Sequence, residues 1–329
     1  MEQHQRFCAF LRAYAFYNLA SEFAQTYDNT TSSTDLGISL KLSSDVNNIP
    51  QRTTVAQTYQ QILGDLKTAL PLLSPTVNLS QANRPSKPAA FALLARIALS
   101  MRDYTNAKIY ADSTLNLYST LVDYNTLAAG TNFPFTLLKP STAEAMYQSM
   151  MLNNDLTVTT VGPAIADTLL YSSFNSNDLR KAIYFRLKSG IESPGWGYGG
   201  SYYGFTGLAT DEVYLIRAEC EARAGNTTAA MADLNAVLVK RFKTGTFTSL
   251  TAVSSSDALN QVLTERRKEL IWRGLRWTDL KRLNKDGANI TLTRILNGTT
   301  YTLPPNSPLY VLPIPPDEIA LSGIQQNQR

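Results

Sequence analysis

The chain has 329 residues, of which 44% are hydrophobic and 17% charged, with a formal net charge of +4 at pH 7. No apolar run is long enough to cross a bilayer as a helix, and two cysteines cannot build a disulfide framework. A helical integral membrane protein and a small disulfide-rich protein are therefore excluded, and the chain is long enough to bury a large core.

The first helical segment runs from Gln3 to Tyr27, where apolar residues recur at spacings of three and four. Cys8 lies in this pattern and Cys220 in a later one, so we predict that both are buried free thiols. The first residues lack the apolar core and cleavage site of a signal peptide. Since the helical periodicity is already present at the first residues, we expect a fragment of a longer protein.

Turn-forming residues dominate positions 28–50, which predicts a loop with one short strand at Ile38 to Leu42. Thr53 and Thr54 are both suitable N-caps for the next helix, whose apolar residues keep helical spacing as far as Leu73. Pro75 then marks a stop.

Two helical hairpins follow, and both place small residues where two helices would face each other. The first begins at Pro88 and turns at residues 102–104, and the second spans Asp211 to Phe242 and turns at Gly225. This pattern is typical of tetratricopeptide-type hairpins. The two turns lie far more than the usual repeat of about 34 residues apart, so the hairpins do not form a tandem array.

The segment between the hairpins, Leu121 to Ala209, has weak helical periodicity and four prolines. Aromatic and aliphatic residues persist throughout it, which argues against disorder. We predict an irregular lobe of loops and small helices, with a short apolar alternation at Ala145 to Met151. Further short strands are predicted at Thr299 to Leu303 and Tyr310 to Leu312, confined to edges by the neighbouring prolines.

The stretch from Glu265 to Asn284 carries seven basic and three acidic residues, so it accounts for the net charge of the whole chain. Its apolar residues recur at helical spacing, and Gly274 inside the pattern indicates a kink or a close backbone approach. Two acids stand at ion-pair spacing from arginines: Glu269 from Arg273, and Asp279 from Arg276 and Arg282. We interpret the stretch as a salt-bridged structural helix, because interleaved acids and a neutral remainder disfavour a phosphate or nucleic-acid surface.

This stretch resembles the C-terminal signature of the SusD/RagB family, surface lipoproteins that bind nutrients for TonB-dependent outer-membrane transporters of Bacteroidetes-type bacteria. The matching residues are Glu265, Arg266, Arg267, Glu269, Leu270, Gly274, Arg276, Trp277, Asp279, Leu280 and Arg282. Arg273 departs from the usual Glu, and Leu275 from the frequent His or Gln. Other segments recur in the family's order: Phe10 to Ala24, Thr54 to Leu73, Pro88 to Leu117, Asp211 to Asn235 and Pro313 to Asn327.

The resemblance implies a mainly α-helical, SusD-like fold in which residues 1–329 form a single unit. Tetratricopeptide-type hairpins and companion helices would form a scaffold from residues 1–27, 51–118 and 208–284. An irregular, ligand-side lobe would span 119–207, and a C-terminal extension 285–329. The resemblance also implies a signal peptide and a lipid-bearing cysteine upstream, so we expect an N-terminally incomplete form of a surface-exposed outer-membrane lipoprotein.

An aromatic, glycine-rich segment lies near the end of the predicted lobe. Its glycines spell G-x-G-x-x-G from Gly195, but no βαβ unit surrounds them, which argues against a dinucleotide site. Aromatic rings on small-residue loops offer flat apolar faces with polar edges, and the family's glycan sites are built largely from such rings. We therefore predict four ligand-binding residues: Trp196, Tyr198, Tyr202 and Tyr203. The alternative interpretation is that several of these rings only pack against the helical scaffold.

Patterns for catalysis and metal binding are sparse. His4 is the one histidine, which leaves little for a Ser/His/Asp or Cys/His arrangement or for zinc. A carboxylate pair for glycoside hydrolysis stays possible among Asp167, Asp178 and Glu192, but capping or surface roles are favoured for these residues. We predict no catalytic residue, no metal and no cofactor.

The resemblance implies a non-catalytic protein that binds an oligosaccharide or polysaccharide at the cell surface. It would deliver this glycan to a SusC-like TonB-dependent transporter and would touch the membrane only through an N-terminal lipid anchor. Two alternatives stay open: a helical-repeat scaffold for protein interactions, and a SusD-like binder of peptides rather than glycans. No nucleic-acid partner is predicted.

Overall fold

The computed structural model describes residues 2–131, 134–135, 142–151, 166–188, 191–194, 198, 200 and 203–329. Helices predominate among them, which confirms the predicted mainly α fold. The α-helices are α1 (Glu2–Phe23), α2 (Val55–Ala69), α3 (Lys87–Ser100), α4 (Tyr104–Leu117), α5 (Thr168–Ser172), α6 (Arg180–Tyr184), α7 (Thr210–Arg223), α8 (Thr227–Leu238), α9 (Ser255–Glu269), α10 (Arg276–Lys285) and α11 (Pro316–Ser322). The strands are β1 (Leu36–Ser39), β2 (Arg52–Thr54), β3 (Ala145–Tyr147), β4 (Phe185–Lys188), β5 (Ile191–Pro194), β6 (Leu208–Ala209), β7 (Leu292–Leu296) and β8 (Thr299–Leu303).

The strands pair antiparallel in two-stranded sheets, namely β1 with β2, β3 with β6, β4 with β5 and β7 with β8. The chain forms two compact units. The first unit comprises Met1–Leu72, Ser100–Asp103 and Trp277–Arg329, and the second unit comprises Leu73–Leu99 and Tyr104–Arg276. The single SusD-like unit expected from the resemblance stays a prediction.

In the first unit, α1 packs against α2. Of the two predicted N-caps, Thr54 caps α2: its side chain accepts a hydrogen bond from the Gln57 amide, and the Gln57 side chain accepts one from the Thr54 amide. This reciprocal capping box satisfies two of the amide groups that a helix start leaves without partners. The helix ends at Ala69 and continues as a 3-10 turn, short of the predicted end at Leu73.

The last turn of α1 is closed by residues far along the chain. The Lys281 ammonium donates to the carbonyl oxygens of Ser21 at 2.8 Å and Ala24 at 3.0 Å, and the Leu312 amide donates to Glu22 O at 2.9 Å. These bonds satisfy carbonyl groups that have no partner inside the helix. Burial lowers the pKa of Lys281 to about 8.

In the second unit, α7 lies at the centre of the helical scaffold and packs against α4, α8 and α9. The predicted hairpins α3–α4 and α7–α8 are both present, and their turns use left-handed backbone at Arg102 (φ 63°) and Gly225 (φ 87°). A core beneath α7, α8 and α9 is built from apolar side chains that include Leu215, Ala218, Leu234, Leu238 and Val262. The predicted helical hairpins are thereby confirmed.

The stretch from Glu265 to Asn284 is not one helix. The α9 helix ends at Glu269 and α10 begins at Arg276, and Trp272 (φ 65°) and Gly274 (φ 73°) adopt left-handed backbone between them. The predicted break at Gly274 is confirmed, since a Cβ at that residue would be strained by the backbone and would lie 3.4 Å from Met151 Cε.

The break also decides the ion pairs of this stretch. The predicted pair of Glu269 with Arg273 is wrong, because Arg273 lies beyond the end of α9 and its guanidinium donates to Asp211 at 3.0 Å. The predicted pair of Asp279 with Arg282 is confirmed at 2.8 Å.

The structure also bears on the predictions about two short strands, the two cysteines and membrane-spanning helices. The strand at Thr299 to Leu303 is confirmed, whereas Tyr310 to Leu312 is not a strand, because Pro308 starts a 3-10 turn capped by the Ser307 side chain. Cys220 is buried as predicted, but Cys8 lies on an exposed face of α1. Among helices of the described residues, none is both long and apolar enough to span a membrane.

Candidate ligand-binding site

The predicted lobe contains an aromatic core in the second unit. Its buried members include Tyr124, Phe135, Phe174, Tyr184, Phe185, Tyr198 and Phe205. The rings meet edge to face or offset, as aromatic pairs prefer: the centroids of Tyr124 and Tyr184 lie 6.0 Å apart, and those of Phe174 and Phe185 lie 5.4 Å apart. Short helices and strands can therefore build a packed core in this part of the chain.

Tyr198 belongs to this core rather than to the surface, with 2% of its area exposed. Its ring stacks on Phe135 at 4.8 Å and lies 5.5 Å from Phe205. The guanidinium carbon of Arg273 sits 3.7 Å from the ring centroid, a cation–π contact. In this conformation Tyr198 offers no free face to a ligand.

Tyr203 lies at the surface, with 46% of its area exposed. Trp196 and Tyr202 lie outside the described residues. The structure therefore brings Tyr198 and Tyr203 to opposite environments, one inside the aromatic core and one on its outside. The assignment of all four residues to a ligand site stays a prediction.

The backbone after Tyr203 is held in place by an antiparallel ladder. The Met151 amide donates to Gly204 O at 2.8 Å, and the Thr206 amide donates to Ser149 O at 3.0 Å. The same two segments continue into the paired strands β3 and β6. Tyr203 is thus exposed next to a fixed backbone, and Met150, 37% exposed, lies on the facing segment. The sequence did not identify Met150 as a surface residue beside Tyr203, because its only feature was its place in the apolar alternation.

A buried network of charges lies against the aromatic core. The Arg241 guanidinium donates to Glu269 at 2.8 Å and to Glu144 at 2.9 Å, and its carbon lies 4.0 Å from the ring centroid of Tyr124. All of these side chains are fully or almost fully buried. Buried charges are tolerated only when they are paired and hydrogen-bonded, so the network ties the aromatic core to the helical scaffold.

Arg180 forms the second centre of this network. It donates to Asp178 at 2.6 Å, to Glu265 at 2.6 Å and to Glu269 at 3.0 Å. Since Arg180 begins α6 in the lobe and the two glutamates belong to α9, the guanidinium joins the irregular lobe to the charged stretch.

The Trp272 side chain reaches into the same core. Its indole N–H donates to Tyr184 O at 3.1 Å, and its ring lies 6.1 Å from that of Phe185. The left-handed residues between α9 and α10 thus place an aromatic anchor from the charged stretch into the lobe.

The network contains more carboxylates than guanidinium groups, which perturbs its titration. Burial, together with the nearby Asp211 and Glu269 carboxylates, raises the pKa of Glu144 to about 8, against the opposing effect of Arg241. Glu144 has no exposed surface, and the Val122 amide donates to its side chain at 2.7 Å. A carboxyl group enclosed in this way has no access to a substrate, so its role is structural.

Of the three carboxylates considered for hydrolysis, the two whose side chains the structure describes, Asp167 and Asp178, are each paired with an arginine. Asp167 caps α5 and forms a 2.6 Å ion pair with Arg267, which confirms the favoured capping role. Asp178 is buried against Arg180, and the side chain of Glu192 lies outside the described residues. Within the described part of the chain, no group of three or more His, Cys, Asp or Glu side chains could hold a metal ion.

Sequence reasoning did not find the buried network, although one signal was present. Asp211, Glu212 and Glu219 occupy inward positions of α7 and are almost fully buried. Glu212 is paired there with Arg96 of α3 at 2.6 Å. Acids on the apolar face of a helix predict buried partners, but nothing local identifies which cations these are.

Two family profiles match the chain. Residues 2–99 match a SusD-like family described as starch-binding and associating with the outer membrane, and residues 171–328 match the SusD family, SusD_RagB. No curated protein matches the chain.

Solved structures share this fold over almost the whole chain. A SusD superfamily protein from Bacteroides thetaiotaomicron VPI-5482 is 22% identical with a TM-score of 0.77, and the match covers 100% of this chain and 78% of that one. A SusD superfamily protein from Bacteroides vulgatus ATCC 8482 is 24% identical, with a TM-score of 0.76 and coverages of 98% and 76%. A SusD-like carbohydrate binding protein from the same strain is 20% identical, with a TM-score of 0.71 and the same coverages. These matches show the shared fold, and the two profiles, which match residues 2–99 and 171–328, show that the chain belongs to the SusD/RagB family.

Proposed function

We propose that this chain is a non-catalytic binder of oligosaccharides or polysaccharides. Three findings support the proposal: the family, the profile described as starch-binding, and a similar structure named as a carbohydrate binding protein. The observation that carries it in this chain is the exposed Tyr203 beside a ladder-held backbone, at the end of a segment that also contains Trp196 and Tyr202.

The chemistry of this segment suits sugars. An aromatic ring offers an apolar face to the C–H face of a sugar, and its polar edge leaves room for hydroxyl groups. Because the backbone after Tyr203 is held by hydrogen bonds to the segment of Ser149 and Met151, Tyr203 would lose little order on binding. Recognition would be shallow, aromatic and mostly preformed.

We further propose that the natural protein is a lipoprotein on the surface of the outer membrane. It would hand its glycan to a SusC-like TonB-dependent transporter, which would supply the energy-coupled step. The profile that associates one family with the outer membrane supports this location. Co-purification of the chain with a TonB-dependent transporter encoded beside it tests the partnership, and a cytoplasmic start to the full reading frame would contradict it.

Replacement of the aromatic residues tests glycan binding. After a ligand is identified by screening soluble polysaccharides and oligopeptides, Trp196→Ala and Tyr203→Ala are each expected to weaken it about tenfold, or by about 1.4 kcal/mol. Isothermal titration calorimetry measures the affinity, and thermal unfolding checks that each variant keeps its stability.

Tyr301→Ala is the matched control, because Tyr301 is 55% exposed and belongs to β8 in the first unit. Its affinity should equal that of the unmodified protein. Unchanged affinity in both aromatic variants would remove this segment from the site. Binding of oligopeptides without any polysaccharide would favour the peptide alternative, and release of reducing sugar during the screen would contradict a non-catalytic role.

A further inference from the structure

The first unit contains an apolar cavity of about 620 Å³. Its walls come from the end of α1, from β1 and the loop after it, and from residues around α11. The aliphatic and aromatic lining includes Leu19, Phe23, Ile38, Val46, Ile49 and Ile324. This volume falls within the range of small-molecule sites, about 300–1,000 Å³. Val46 is 85% exposed and Ile49 is 52% exposed, so the mouth of the cavity presents apolar side chains to water.

Three charged residues line the same cavity: Lys41, Arg52 and Glu318. Within the described part of the chain, none of them forms a salt bridge. Two positive charges and one negative charge leave the wall with a net charge of +1, and a ligand with a single negative charge would balance it.

Arg52 is held in place by the backbone rather than by an acid. Its guanidinium donates to the carbonyl oxygens of Gly37 at 2.8 Å, Gln325 at 3.0 Å and Phe23 at 3.1 Å. Carbonyl groups orient the guanidinium but do not neutralise its charge. Burial without a carboxylate partner lowers the pKa of Arg52. The cavity therefore contains an oriented, uncompensated cation.

We propose that this cavity binds a medium-chain aliphatic carboxylate, with the chain along the aliphatic wall and the head group toward Arg52 and Lys41. A sugar fits poorly, because many of its hydroxyl groups would be buried against aliphatic side chains without partners. This site is separate from the proposed glycan site, since every lining residue belongs to the first unit.

Equilibrium dialysis with dodecanoate, kept below its micelle concentration, tests the proposal. One equivalent is expected to bind the full chain, and dodecan-1-ol and dodecyltrimethylammonium are expected to bind at least about tenfold more weakly because they lack the negative charge. Val46→Asp should weaken dodecanoate about tenfold by placing a carboxylate at the apolar mouth. Glu318→Gln should tighten it severalfold, since it removes the repelling charge.

Val253→Asp is the matched control, because it makes the same change at a valine that is 95% exposed in the second unit. Its dodecanoate affinity should equal that of the unmodified chain, and thermal unfolding should show all three variants folded. The proposal is overturned if dodecanoate does not bind, if dodecan-1-ol binds as tightly, or if Val46→Asp and Val253→Asp bind equally well. A test of glycan affinity in Val46→Asp, which should be unchanged, separates this outcome from a failure of the proposed function.

Discussion

Arg180 and Arg241 are fully buried, and each bridges carboxylates from distant parts of the sequence. A guanidinium suits this role because it is always charged and presents five donors in a rigid fork. Burying such groups costs solvation free energy, so the network contributes specificity to the packing of the lobe more than net stability. Both arginines meet at Glu269, which makes this residue the shared acceptor of the network.

Removal of one guanidinium should be strongly destabilising. Arg180→Met leaves Asp178 buried without its cation and leaves Glu269 with Arg241 alone, and we expect a loss of about 3–5 kcal/mol in the free energy of unfolding. Urea denaturation measures this loss. Arg294→Met in the exposed strand β7 is the control and should change stability by less than about 0.5 kcal/mol. A loss below about 1 kcal/mol for Arg180→Met would show that the carboxylates rehydrate easily.

Glu144 should make stability depend on pH. Its pKa is raised from 4.5 to about 8 by burial, so the folded chain keeps a proton that the unfolded chain releases. Stability is therefore full below about pH 4.5 and falls as the pH rises toward 8. Glu144→Gln cannot titrate, so it should lose this decrease in the free energy of unfolding, which is on the order of a few kcal/mol between pH 4.5 and pH 8.

Urea denaturation between pH 5 and pH 8.5, run in parallel on both proteins, measures the difference. The comparison isolates Glu144 together with the nearby Asp211 and Glu269 carboxylates, because groups away from this network titrate equally in both proteins. A slope that is the same in the variant would mean that Glu144 is ionised in the folded protein at neutral pH.

At the scale of elements, α9 shows that the spacing of apolar residues does not by itself identify the buried face of a helix. The buried positions of α9 are Ala258, Val262, Arg266 and Glu269, whereas two leucines of the same helix, Leu259 and Leu263, are only partly buried. A charged residue is normally solvent-exposed, but partners from other elements make Glu269 a buried residue.

Trp277 in α10 allows a test of how far this stretch is structural. Its indole N–H donates to Tyr310 O at 3.0 Å, and the two rings lie 4.8 Å apart. Trp277→Ala removes both contacts, so we expect a loss of about 3–5 kcal/mol by urea denaturation. Trp277→Phe keeps most of the ring packing and loses the hydrogen bond, and should cost about 1–2 kcal/mol. A near-neutral Trp277→Ala would instead indicate an exposed basic face available to a partner.

For the molecule as a whole, the helical part of the fold was predictable. The hairpins α3–α4 and α7–α8, the capped start of α2 and the break at Gly274 all follow from signals within a few residues of each other. The lobe was less predictable, because its helices are five residues long and its strands two to four residues long. Periods this short cannot be recognised in a sequence.

The candidate site divides in the same way. The aromatic segment was visible from composition, but the sequence offered no means to tell the buried Tyr198 from the exposed Tyr203 five positions later. Burial of Tyr198 depends on Phe135 and Arg273, which are far away along the chain. The apolar cavity of the first unit is likewise lined by residues of β1 and of the region around α11, so no single segment of the sequence indicates it.

By itself, then, the sequence determined the order of the helices, their caps and turns, and membership of the SusD/RagB family, because these depend on contacts between near neighbours and on motifs in a set order. Only the tertiary structure decided which charges are buried, which aromatic rings reach the surface and where a cavity lies. Arg180 and Glu265, for example, are 85 positions apart, and Arg241 and Val122 are 119 apart. Pairs at such separations are selected by the packing of whole elements, and local patterns carry no record of them.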